Sequence, residues 1–64
     1  MELVLSRKGI PAFDSRYDIF KSLKGFEVHS VMTDELTDVN WFSTYSKARS
    51  FVKAEIAMEI EDLG

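Results

Sequence analysis

The sequence has no cysteine and only one histidine, His29. The first absence excludes disulfides and thiolate metal sites, and the second excludes a histidine-rich one. Glycine is scarce too. Its three copies, Gly9, Gly25 and Gly64, stand far apart, so no glycine-rich loop is present to cradle a phosphate. No apolar run approaches the roughly 20 residues of a membrane span. The start at Met1 shows no basic region followed by an apolar one. These absences predict a cytoplasmic protein that carries no metal and no cofactor and has no membrane segment.

What is present is a chain of 64 residues, 45% hydrophobic, with five Phe, two Tyr and Trp41. That composition predicts one folded domain over 1–64 rather than a disordered tail. A chain this short buries only about 60% of its extended surface. Without staples it depends on tight packing or on a partner. The net charge of −3 is unevenly spread. Residues 1–32 carry five basic and four acidic side chains, whereas residues 33–64 carry three basic and seven acidic ones. An acidic second half disfavours nucleic acid as the ligand and favours a basic protein surface.

Periodicity predicts the elements. Residues 2–6 alternate as a strand, and Gly9 and Pro11 mark a loop. Asp14 is suited to cap a helix over about 15–24, because Phe13, Tyr17, Phe20 and Leu23 recur at steps of four and three. Gly25 then serves as its C-terminal stop. Residues 26–33 read as a strand, 34–38 as a polar turn and 39–43 as a third strand paired with it. From Ser43 or Thr44 a long helix follows, with Tyr45, Ala48, Val52, Ile56 and Ile60 on one stripe, widened by Phe51 and Met58. The expected fold is therefore α+β: a small antiparallel sheet with one or two helices on one face, in the order β-α-β-β-α. In a strand, Trp41 and Phe42 must point to opposite faces. If helices cover only one face, one of these aromatics is left in water or under a partner.

Catalytic chemistry has little to build on. A lone strand histidine is far more often half-exposed filler than a general base, and His29 has no recognisable partner set. The Asp34, Glu35, Asp38 and Asn40 cluster lacks the glycine and the final glutamate of a calcium loop, which favours a solvated turn. The basic residues Arg7, Lys8, Arg16, Lys21 and Lys24 make an RNA site conceivable, but Asp14 and Asp18 dilute them. Glu55, Glu59, Glu61 and Asp62 read as a solvated charge run, with an acidic docking surface as the rival reading. The expectation is a protein that binds another macromolecule and is not an enzyme.

Two stretches sharpen that expectation. The opening Met1-Glu2-Leu3-Val4 is one. The other is Asp38-Val39-Asn40-Trp41, followed by Thr44, Tyr45, Ala48, Val52-Lys53-Ala54 and Ile56. Both resemble the Dmd family of T-even bacteriophages, small antitoxins made against host ribonuclease toxins. The match covers about a third of the chain, and where the family has a hairpin this sequence predicts the helix 15–24. The resemblance implies direct protein–protein inhibition with Trp41 as a principal contact. Asn40, Asp38, Glu35 and Asp34 are then candidate partner-binding neighbours, and the three acidic ones are candidates to stand in for RNA phosphates in a basic cleft. The competing expectations are a small homodimeric regulatory module that self-associates through its exposed aromatic, and, with less support, an RNA-binding domain.

Overall fold

Residues 15–21 are where the structure departs most from periodicity. The computed structural model describes all 64 residues. Its elements are β1 (Glu2–Lys8), a 3-10 turn (Pro11–Phe13), β2 (Ser15–Lys21), β3 (Phe26–Met32), β4 (Glu35–Phe42) and α1 (Tyr45–Leu63). The class is α+β, but the order is β-β-β-β-α, and the expected helix 15–24 is a strand. Its residues fit both periods. Ser15, Tyr17 and Ile19 are buried on one face of β2, while Arg16 and the half-buried Phe20 lie on the other. Leu23, the last member of the supposed stripe, is fully exposed at 105%. Asp14 caps no helix either; it sits in the left-handed region at φ 48° and closes the 3-10 turn.

The four strands form an antiparallel meander in the order β1-β2-β3-β4. The turn between β3 and β4 is shorter than expected. Thr33 and Asp34 both take positive φ, 51° and 63°, the signature of a two-residue turn whose twist matches the strands it joins. The Thr33 N–H also donates to the Asp14 carbonyl at 3.0 Å, tying the turn to the β1–β2 loop. Glu35 to Asp38 therefore belong to β4 and not to a loop, which corrects the expected turn at 34–38.

Helix α1 begins as expected. The Thr44 hydroxyl accepts from the Lys47 N–H at 3.2 Å, satisfying one donor of the first turn. Ala48 and Val52 are buried against Tyr17, Ile19 and Val28 to form the core. Around it pack Leu5, Phe26, Phe42, Tyr45, Phe51 and Ile56. Phe42 meets Phe51 with ring centroids 5.2 Å apart, and Phe26 meets Tyr45 edge-on at 5.8 Å. The stripe fails at its far end, where Ile60 and Met58 are exposed and Glu59 is buried.

Val52 is only 2% exposed, at the centre of the contact between helix and sheet. Val52→Ala is expected to cost about 1–4 kcal/mol through lost burial and a residual cavity. Ile56→Ala should cost less, because Ile56 is only half-buried. Thermal melting of the two variants checks the order.

Candidate functional site

Only one face of the sheet carries a helix. Register assigns the other. Glu27 pairs with Trp41, His29 with Val39, and Val31 with Leu36, so all six side chains share the uncovered face. Phe20, opposite Glu27, and Leu3, opposite Phe20, extend it across β2 and β1. Trp41 is 55% exposed, and Leu3, Leu36 and Val39 are also exposed. Phe42 points the other way, into the core. The aromatic left outside is thus Trp41.

Trp41 is nevertheless held. A Cβ at Gly25 would lie 2.8 and 2.9 Å from Trp41 indole carbons, so the ring rests on backbone that glycine alone leaves bare. Polar groups fill the middle of the face. Asp18 is buried there, accepting from the Ser6 hydroxyl at 2.6 Å and from Arg16 Nε at 3.0 Å. His29 Nε2 lies 3.1 Å from Glu27 Oε1, and its ring stacks obliquely on Phe20 with centroids 4.6 Å apart.

The expected neighbours of Trp41 are not gathered around it. Asp38 and Asn40 pair with Ser30 and Val28, and Glu35 pairs with Met32, so register puts these three on the helix side of β4. Asn40 Nδ2 donates to Asp38 Oδ2 at 3.1 Å, and Asp38 Oδ1 accepts from the Val39 N–H at 2.9 Å. Asp34 stands in the turn. The candidate set splits into Trp41 on the open face and an acidic rim along the edge strand. The basic residues considered for RNA are split as well. Arg7, Lys8 and Arg16 lie at one end of the sheet and Lys21 and Lys24 at the other, and Arg16 is paired with Asp18. No three His, Cys, Asp or Glu side chains converge where a metal could be held. No helix is long and apolar enough to cross a membrane.

A second polar site lies under the helix, where the sequence predicted a solvated charge run. The Glu59 carboxylate, in a residue only 6% exposed, accepts from the Tyr17 hydroxyl, from the Ser15 hydroxyl at 2.7 Å and from the Ile10 N–H at 3.1 Å. Burial alone pushes its pKa up. The donors from Tyr17, Ser15 and Ile10 outweigh that and hold it below the ordinary carboxylate value. Burial, the hydrogen bond to Glu59 and the negative charges of Glu59 and Glu55 push the Tyr17 hydroxyl up. Gly9 makes the arrangement possible, because a Cβ there would collide with Ser15 Oγ and Glu59 Oε1. Glu59 stands seven residues after Val52, two turns along the same face, and that spacing was the available signal.

Compared with known protein families, with curated proteins and with solved structures, the chain matches none.

Proposed function

We propose that the chain is a phage-type antitoxin, an anti-defence protein that binds a host ribonuclease toxin in the host cytoplasm and blocks its RNA-cutting site. The observation that carries the reading is Trp41, more than half exposed on an uncovered sheet face that also carries the exposed Val39, Leu36 and Leu3. A large exposed aromatic on a surface that no other element covers is the residue type that most often anchors a protein interface. Both sheet edges are ill-suited to adding a foreign strand. β1 has an irregularity between Leu3 and Leu5, and β4 has one opposite Ser30 and Val31 and carries Glu35 and Asp38. Docking through the face is the better route.

The resemblance over residues 1–4 and 38–56 supports the same reading. So does the β2–β3 hairpin, which stands where the resembled family has one. Glu35 and Asp38 on the edge strand, with Asp34 at its turn, supply the negative charge that a basic RNA cleft attracts. The second reading is a homodimeric regulatory module, for which the same open face would be the self-association surface. The chain has no recognisable catalytic set, and in either reading it acts by contact alone.

The test is growth rescue. Co-expressed with a panel of bacterial ribonuclease toxins, the wild-type chain should restore growth against at least one. In the purified pair, RNA cleavage should stop at about one equivalent of the chain. Rescue of none, with the protein folded and soluble, would sink the antitoxin reading.

A further inference from the structure

We propose that the protein forms a weak two-fold homodimer, in which helix α1 of each copy enters the groove between α1 and β1 of the other. A four-stranded sheet is about 19 Å wide at the usual strand spacing. One helix with its side chains is about 10 Å across. Helix α1 lies mainly over β2, β3 and β4, and a groove remains between it and the inner face of β1. The resulting groove has Leu5, Tyr45 and Ile56 among its apolar lining and Arg7, Arg49 and Lys53 as its charges. No carboxylate lines it. None of the three cations is ion-paired, since the two pairs in the molecule are Arg16–Asp18 and His29–Glu27. In a chain of net negative charge, this is a basic, partly apolar trough about one helix wide.

The chain itself carries the element that fits. Helix α1 opposes its own dipole at both ends. Lys47, Arg49 and Lys53 occupy its first half and Glu55, Glu59, Glu61 and Asp62 its second, with no acid in the first turn and no base in the last. That order weakens an isolated helix. An antiparallel neighbour offsets the effect by setting the exposed Glu61 of one copy beside the basic first half of the other, while Glu59 stays buried under its own helix. The flank bordering the groove has the matching spacing. Ser46, Arg49, Lys53, Ile56, Ile60 and Leu63 recur at alternating steps of three and four and so share one flank, cationic in its first half and apolar in its second. Its second half is unsatisfied, for Ile60 and Leu63 are each more than half exposed.

About a two-fold axis, Ile60 and Leu63 of one copy lie on Leu5 and on the aliphatic stems of Arg49 and Lys53 of the other. The cationic heads then reach the partner's Glu61. A parallel pairing would instead set Arg49 and Lys53 against their own copies. The strip is small, about 28 Å by about 10 Å on each copy, which places the dimer among weak interfaces. Trp41 lies on the opposite side of the sheet and takes no part. The dimer therefore does not depend on the antitoxin reading.

Sedimentation equilibrium from about 10 μM to about 1 mM tests the proposal. The wild-type chain should show a monomer–dimer equilibrium. The Arg49→Glu/Lys53→Glu double variant should stay monomeric, as should Glu61→Lys. An equimolar mixture of the two variants should recover the dimer, because each then offers the charge that the other lacks. Trp41→Ala should dimerise as the wild type does. All these positions are exposed, and circular dichroism confirms that each variant is folded. A wild-type chain that stays monomeric throughout overturns the proposal, as does a mixture that fails to pair. A dimer that survives charge reversal and disappears with Trp41→Ala overturns it in favour of the open sheet face.

Discussion

Glu59→Ala is expected to unfold much of the population at physiological temperature. The substitution removes the acceptor for the Tyr17 hydroxyl, the Ser15 hydroxyl and the Ile10 N–H together. Each buried donor left without a partner costs about 1–3 kcal/mol, so the loss should be about 3 kcal/mol or more even if water enters. A chain of this length has roughly 3–10 kcal/mol in total. Glu59→Gln keeps one acceptor oxygen and should fall between wild type and Glu59→Ala.

The same cluster gives stability a two-sided pH dependence. Glu59 is held below its ordinary value near 4.5, so its contribution is complete above that pH and is lost as pH falls through the lower folded value. Tyr17 is pushed above its ordinary value of 10.0. Its contribution is complete below pH 10 and is lost as pH rises toward its folded value. Thermal melts should show a plateau between about pH 5 and about pH 10, and in Glu59→Gln the acid limb should flatten. An acid limb unchanged in Glu59→Gln would show that other carboxylates govern it.

Trp41→Ala should weaken partner binding by about 2–4 kcal/mol, roughly 30- to 1000-fold, while the melting temperature moves little. The ring is more than half exposed and rests against the backbone of Gly25. Phe42→Ala should do the reverse. Phe42 faces α1 and packs on Phe51, so its loss is paid in stability before binding. Titration calorimetry with a rescuing toxin, together with melts of both variants, reads the two effects separately. A Trp41→Ala variant that binds normally would move the interface to the acidic rim of β4.

The acidic rim shows how a correct local reading can still misplace a site. Asp38, Asn40 and Trp41 are close in sequence, and strand alternation alone sends Asp38 and Asn40 to the face opposite Trp41. That separation was legible once 35–42 was read as a single strand. For Glu35 and Asp38 it was hidden by reading 34–38 as a turn, when Thr33 and Asp34 suffice for one; for Asn40 it already followed from the expected strand 39–43.

The sequence by itself determined helix α1, a hydroxyl cap at Ser43 or Thr44, the β3–β4 pairing and the opposition of Trp41 and Phe42; the structure chose Thr44. Each follows from spacing within one short stretch. It could not decide residues 15–21, where Tyr17, Ile19 and Phe20 suit either a helical stripe or an alternating strand. Only pairing with β1 and β3, in hydrogen bonds made to distant residues, resolves that ambiguity. Burial of Glu59 was equally out of reach of local pattern. A carboxylate enters a core only where donors converge on it. Here they come from residues 42 to 49 positions away, brought beneath the helix by the meander.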